Sequence, residues 1–420
     1  MLIGIIGAPN KGKSTLFSAM TMAEAEMADR PFTTIKPNYG VAYIAKECVE
    51  GELGVKCKPR NSVCKNGVRY IPINIVDVAG LVPGAHLGKG MGNQFLNDAI
   101  KADVLILVVD LTGKTDSNGN PTQDSDPRQE VGMIVDELAQ WIAGIIKKHM
   151  KELSKEKDVV KGLGSILAGM RITEWEIKNA ISLTHKFKEM ERAGVTGTHL
   201  ELLKKLYEDV GNDVRSQGPV DLKELDLDIF AKHLIGLSKP IVIAANKTDA
   251  TTTDQLEKLK KVTEENYSFP VFGCSAAIEL ALRKAEKSGL IDYRPGDHDF
   301  KIVGNVTEEQ KQALTYMKGF ISKNGTGVNE MLSSIVFSVF EMIVVYPVED
   351  ENKYTDHFGN VLPDAILLPV SSTAEDLASV IHTDLAKNML YALDARSKRR
   401  IGKEQELKDN DVIKIVSAAK

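Results

Sequence analysis

Cysteine is scarce, with four in 420 residues. That is too few for the disulfide framework of a small secreted scaffold. An excess of positive charge is also missing, because the formal net charge is -5. No global basic field draws the chain onto nucleic acid, so any RNA contact must come from local patches. No apolar run approaches the roughly 18 residues that a membrane helix needs. The chain opens on an apolar run at 2–6, with no basic segment and h-region ahead of it. A cytoplasmic protein with no membrane partner is expected. Repeats and low-complexity tracts are absent too. What is present is ordinary: 43% hydrophobic and 26% charged residues, in a length that suits two or three domains.

Short apolar runs at 2–6, 39–44, 71–78, 104–111, 240–245 and 270–273 read as strands, and 15–22 as a helix. Strands separated by helices predict an α/β fold with a doubly wound sheet. Between 111 and 239 the pattern changes. Asp126-Pro127 is a helix start with an N-cap, a proline at N1 and Gln129 at the third position. Val131, Ile134, Leu138, Trp141 and Ile145 then share one helix face. Ala180, Leu183, Phe187 and Met190 repeat that spacing, and Gly194 suits a C-cap. The stretch 126–234 reads as a helical insert, either an antiparallel hairpin or a small packed bundle. The nucleotide domain is placed at 1–125 and 235–305, and a helical connector at 306–343. A separate α+β module follows at 344–420, where Ser372 with Glu375 reads as a capping box.

Gly7-Ala8-Pro9-Asn10-Lys11-Gly12-Lys13-Ser14, followed by Thr15, fits G-x-x-x-x-G-K-[ST] between a strand and a helix. Glycines let the backbone curl, so that N–H groups converge on a β-phosphate at a helix N-terminus. Lys13 would reach the β/γ oxygens and the Ser14 hydroxyl would ligate Mg²⁺. Asp77-Val78-Ala79-Gly80 ends a strand. Asp77 would hold Mg²⁺ through water, and the Gly80 N–H would meet the γ-phosphate. Asn246-Lys247-Thr248-Asp249 follows another strand and reads the base. The Asp249 carboxylate accepts from guanine N1–H and the 2-amino group, and adenine offers neither. Lys247 packs over the base, and Asn246 ties its loop to the P-loop. Backbone N–H groups of Ser275-Ala276-Ala277 would meet guanine O6. Pro31-Phe32-Thr33-Thr34 supplies a switch threonine for Mg²⁺ and the γ-phosphate, either Thr34 (favoured) or Thr33.

With these residues in place the chain resembles the YchF branch of the Obg family of GTPases, closest to its archaeal-type members. The P-loop through Pro31–Asn38 carries the resemblance. So do Asp77–Ala85 with Gly88, Gly90, Gly92, Asn93, Phe95 and Leu96. At the C-terminal end it rests on Tyr346-Pro347-Val348, 358–363, Ser372-Thr373, 382–385 and 411–416. Residues 344–420 look like a TGS domain, a ubiquitin-like fold. The resemblance implies a coiled-coil insert, GTP and Mg²⁺, slow hydrolysis, and partnership with the ribosome or rRNA; the chain is expected to be a monomer. Many members carry an altered base motif and prefer ATP, whereas here the motif is intact and GTP is expected. An ATPase, a nucleotide-binding scaffold and a stress-related interaction protein are the alternatives. Bacterial members have a histidine where this chain has Leu107.

Leu81 stands where Ras-like enzymes place a water-orienting glutamine. Related GTPases with this substitution use the P-loop asparagine, here Asn10, to help bind K⁺, which would neutralise charge between the phosphates. His86 could approach the γ-phosphate or be an exposed switch residue. Arg30 could act as a finger or be a solvated loop residue. Cys48, Cys57 and Cys64 form C-x8-C-x6-C, which is no standard zinc spacing and names no fourth ligand. They read as reduced thiols in an insertion, with Zn²⁺ binding and redox chemistry as the alternatives. Lys147, Lys148, Lys151, Lys155 and Lys157 form one basic cluster. Arg396, Lys398, Arg399, Arg400 and Lys403 form another. Both are candidates for RNA contact.

Overall fold

The computed structural model describes residues 1–21, 38–60, 62–78, 80, 83–87, 96, 98–123, 125–192, 225–267 and 269–418. Arg30, Thr33, Thr34, Leu81 and Gly194 lie outside these residues. The chain divides into two compact units. One comprises Met1–Val41, Asn74–Tyr293 and Asp297–Val328; the other comprises Ala42–Ile73, Arg294–Gly296 and Asn329–Lys420.

The largest sheet has seven strands, and the parts of them within 42–73 fall in the second unit. The strands are β1 (Leu2–Ile6), β2 (Asn38–Glu47), β3 (Val63–Lys65), β4 (Val68–Asp77), β5 (Val104–Asp110), β6 (Ile241–Asn246) and β7 (Val271–Cys274). The order is β2-β4-β1-β5-β6-β7, with β3 paired to β4. β1 runs parallel to β4 and β5, β5 to β6, and β6 to β7. Every residue of β5 and β6 is buried, as expected for central strands covered on both faces. Leu107 is one of them, fully buried beside Ile6 and Ile243. It sits in the apolar core of the sheet. In this topology ligands bind at the carboxyl ends of the strands, where the motif-bearing loops emerge.

The insert is packed rather than free-standing. Helix Pro127–Leu153 starts where the sequence placed it, with the Asp126 side chain accepting the Arg128 N–H at 2.9 Å and proline at N1. Val131, Ile134, Leu138, Trp141, Ile142 and Ile146 are buried in the same core as Ile6, Leu107 and Ile243. Ile145 is only half-buried, so the apolar stripe turns one residue further round than expected. Helices Val159–Leu167, Glu174–Arg192 and Leu227–Ser238 join this core through Leu163, Ile177 and Phe230. Among the described residues, 126–192 therefore form a bundle on the sheet. Helix Leu227–Ser238 also runs across the boundary expected at 234.

The second unit holds a five-stranded sheet in the order β11-β10-β14-β12-β13. Two further strands, β8 (Ile291–Asp292) and β9 (Lys301–Ile302), form a small ribbon of the first unit. The sheet strands are β10 (Met342–Val348), β11 (Ile366–Pro369), β12 (Met389–Asp394), β13 (Arg400–Ile401) and β14 (Val412–Ser417). The mixed sheet packs on helix Ala374–Ile381 through Val345, Leu368, Leu377, Ala378 and Ile413. That helix is capped one residue later than expected. Thr373 and Asp376 form the reciprocal box, not Ser372 and Glu375. Residues 42–73 belong to this unit, although the sequence placed them in the nucleotide domain. Their Cys48, Val49 and Ile71 share a core with Val344, Tyr346 and Val412. The expected connector 306–343 is split as well. Helix Glu308–Asn324, closed by Gly325 at φ 63°, belongs to the first unit, and 329–343 to the second.

Candidate nucleotide site

The P-loop bends because three residues take left-handed backbone. Gly7 has φ 144°, Asn10 60° and Gly12 92°. A Cβ at Gly7 would come within 2.5 Å of the Val108 carbonyl, and one at Gly12 would strike the Asn246 side chain. Both glycines are therefore steric requirements. Helix Lys13–Met20 starts at the end of this loop.

Lys13 is 7% exposed, and its Nζ donates to the Ala8 carbonyl at 2.8 Å. Burial pulls its pKa down to about 8 against the attraction of Asp77 and Glu130. Ser14 Oγ donates to Asp77 Oδ2 at 2.8 Å. Burial pushes the Asp77 carboxyl up despite that hydrogen bond and the nearby Lys13. Asp77 Oδ1 is buried with no hydrogen-bond partner. An orphaned carboxylate oxygen beside a serine hydroxyl is a donor set that suits Mg²⁺ with its retained waters. Gly80 approaches Pro9 so closely that a Cβ there would lie 2.9 Å from the proline ring.

Two P-loop side chains are held by partners far along the chain. Lys11 is 1% exposed and pairs with Glu130 of the insert helix at 2.8 Å, while its Nζ also donates to the Thr115 carbonyl. Only its backbone is left to line a nucleotide. Asn10 donates its Nδ2 to the Gly119 carbonyl at 2.8 Å. Pro9 is packed closely against Gly119, so the loop 112–122 braces the P-loop.

The base-reading loops meet as expected. Asn246 Nδ2 donates to the Lys11 carbonyl at 3.0 Å, and its Oδ1 accepts the Ala276 N–H at 3.1 Å. One side chain thus joins three loops. Because Ala276 N–H is bound there and Ile278 N–H goes to Ser275 Oγ, Ala277 is left as the exposed donor at this helix start. Ser275 Oγ donates to Asp249 Oδ1 at 2.6 Å and fixes the carboxylate. Lys247, at φ 69°, sets its Nζ on Asp110 Oδ2 at 2.8 Å. The buried Asp110 also accepts from Thr112 and Thr115.

His86 is not a free switch residue. Its Nδ1 lies 2.7 Å from Glu137 Oε2 on the insert helix. The same carboxylate accepts the Gly84 N–H at 2.6 Å and the His86 N–H at 3.1 Å. Burial raises the Glu137 carboxyl, but these hydrogen bonds outweigh it and hold it below its usual range. Sequence reasoning missed Glu137. A glutamate in the middle of an apolar helix face was the available signal.

The description "50S ribosome-binding GTPase" belongs to the family profile that matches residues 2–155. An Obg-like GTPase YGR210-like, G4 motif-containing domain matches 244–350, and a TGS domain matches 358–417. GTP-binding protein MJ1332 of Methanocaldococcus jannaschii is 46% identical, with 100% of both chains covered. The ribosome-binding ATPase YchF of Bacillus subtilis is 27% identical, over 77% of this chain and 83% of its own. A crystal structure of a GTP binding protein from Pyrococcus horikoshii OT3 matches with a TM-score of 0.71 and 34% identity, over 100% of both chains. A P-loop, a metal-ready Ser14–Asp77 pair and an intact base-reading loop thus sit in a chain that belongs to the YchF-type family of Obg-like GTP-binding proteins with a C-terminal TGS domain.

Proposed function

We propose that this protein is a slow GTP-hydrolysing switch that acts on the ribosome. The observation that carries the switch is the clasp of Glu137 on Gly84 and His86. It ties the turn after D-x-x-G to the first helix of the insert, so a rearrangement around the γ-phosphate is handed to that helix. Mg²⁺, when bound, neutralises charge between the β- and γ-phosphates. Ser14 and Thr34 would ligate it, and Asp77 would act through water. Lys13 would meet the phosphate oxygens, and the Gly80 N–H the γ-phosphate. Asp249 selects guanine, which favours GTP over ATP.

Leu81 has no group to orient water, so intrinsic turnover is at or below roughly 10⁻³ s⁻¹. Asn10 Oδ1 would ligate K⁺, since Nδ2 is held by Gly119. The ribosome as partner rests on likeness to proteins named for ribosome binding. The protein acts as a cytoplasmic monomer in this reading. Sedimentation with ribosomal subunits tests it, comparing a GTP analogue, an ATP analogue and GDP. Retention with the GTP analogue above GDP is expected. Equal retention in all three states would replace the switch with a scaffold.

A further inference from the structure

Residues 42–73 carry a group of side chains that nucleotide chemistry does not use. Cys48, Cys57 and Cys64 offer their sulfurs, and Glu50 a carboxylate oxygen, all within 4.8 Å of one another. We propose that Cys48, Glu50, Cys57 and Cys64 bind a structural zinc ion in the second unit.

The dimensions suit the ion. Zinc holds thiolates at about 2.3 Å in a tetrahedron, which sets sulfurs roughly 3.8 Å apart. Cys48 and Cys57 sulfurs are 3.3 Å apart here, and the whole set spans no more than 4.8 Å. Three thiolates with one carboxylate form a soft, closed donor set of the kind that selects zinc over magnesium or calcium. Cys48 is 6% exposed, and Cys57 and Cys64 are half-buried.

The backbone is folded to bring the four together. Cys48 follows β2, and its N–H donates to the Gly67 carbonyl in the β3–β4 turn. The one-turn helix Glu50–Leu53 ends at Gly54 with φ 65°, which reverses the chain. Glu50 Oε2 then accepts the Cys57 N–H at 2.7 Å. Cys64 arrives on β3. The C-x8-C-x6-C spacing lacks the tight knuckle of common zinc motifs, and the fourth ligand is a glutamate. Both features hide the site from a reading of spacing alone.

A second observation points the same way. Arg69 stands opposite Cys64 across the β3–β4 pair. It is fully buried, and among the described residues its Nη2 donates to the Leu362 carbonyl while its Nε and Nη1 have no hydrogen-bond partner. A buried cation needs a compensating anion. Three thiolates and a carboxylate around Zn²⁺ leave a net charge of -2 by formal count, which this guanidinium offsets. Arg69 is thus a positioning residue for the site.

The test uses the full chain, purified under reducing conditions with zinc in the growth medium and no metal-affinity step. Elemental analysis is expected to find about one zinc per chain, falling below roughly a tenth of that in Cys57→Ser and Cys64→Ser. Retained GDP binding reports that those variants still fold at the nucleotide site. In case they do not, Co²⁺ added to chelator-stripped unmodified protein is expected to give thiolate charge-transfer bands and the intense visible bands of a tetrahedral site. Arg69→Met is expected to weaken zinc by roughly 10–100-fold against a chromophoric chelator. Zinc-free protein with all four cysteines titrating as free thiols and no tetrahedral Co²⁺ spectrum would overturn the proposal. So would a Cys48–Cys57 disulfide in place of metal, or zinc content unchanged in the variants.

Discussion

Asp249 and Lys13 each turn one local fact into a measurable property. Asp249 is pinned by Ser275 Oγ, so it meets guanine already oriented. Replacing it with asparagine puts a donor where the base also donates. Asp249→Asn should weaken GTP by about 10²–10⁴-fold and improve xanthosine triphosphate, measured by competition against a fluorescent guanine nucleotide. If the unmodified protein bound GTP and ATP equally, Asp249 would not be reading the base. Lys13 has its pKa lowered to about 8 by burial. Phosphate binding requires its charged form, and bound phosphate raises the pKa again. Affinity for GDP should therefore be flat below pH 8 and fall above it, approaching tenfold per pH unit, with proton uptake on binding. Titrations between about pH 7 and 8.5 keep most of the guanine N1 proton in place and report the onset of this fall. At this scale the nucleotide residues were legible because each motif is a short run whose spacing is its geometry. The partners of Lys11 and Asn10 were not, since Glu130 and Gly119 lie far along the chain and no local pattern names them.

Elements were legible where their ends carry chemical signals. Asp126-Pro127 marked the start of the insert helix because a side-chain acceptor and a missing N–H both suit the first turn. What that helix does was hidden. Its polar interruption Glu137, 7% exposed, looks like a stray charge until its three hydrogen bonds to the Gly84–His86 turn are seen. Glu137→Gln keeps the shape but removes the negative acceptor. It should abolish the difference in hydrogen exchange of helix 127–153 between a GTP analogue and GDP, and leave GTP affinity within about threefold. Unchanged exchange differences would show that the clasp does not transmit. The sign with pH follows from the depressed Glu137 carboxyl. The clasp contributes above the ordinary glutamate range and is lost as pH falls through the folded-state value.

At the scale of the whole molecule, the sequence divides the chain at linear boundaries, and the fold does not. Residues 42–73 pack with 329–420 because Cys48, Val49 and Ile71 have their apolar partners in Val344, Tyr346 and Val412. Nothing near 42–73 in the sequence announces that pairing. Deleting 344–420 would uncover this core, so the TGS-like end must be tested by point changes instead. Its basic cluster is not uniform. Arg396 is engaged by Glu52 and the Asn410 carbonyl, and Arg400 stacks at 4.0 Å on Tyr391. Arg399 and Arg400 are exposed, so their guanidinium groups are open to phosphates. If the protein binds ribosomal RNA through them, affinity falls as a power of salt concentration, with an exponent of roughly 0.7–0.9 per phosphate neutralised. Reversing Arg399 and Arg400 to Glu should then weaken sedimentation with ribosomal subunits and lower that exponent by about 1.4–1.8. GTP affinity should not change, because both residues belong to the second unit and the P-loop and base-reading loops to the first. Sedimentation from low to moderate salt, with a GTP analogue bound, measures both quantities at once. An unaltered salt exponent in the double variant would remove this cluster from the ribosome-facing surface.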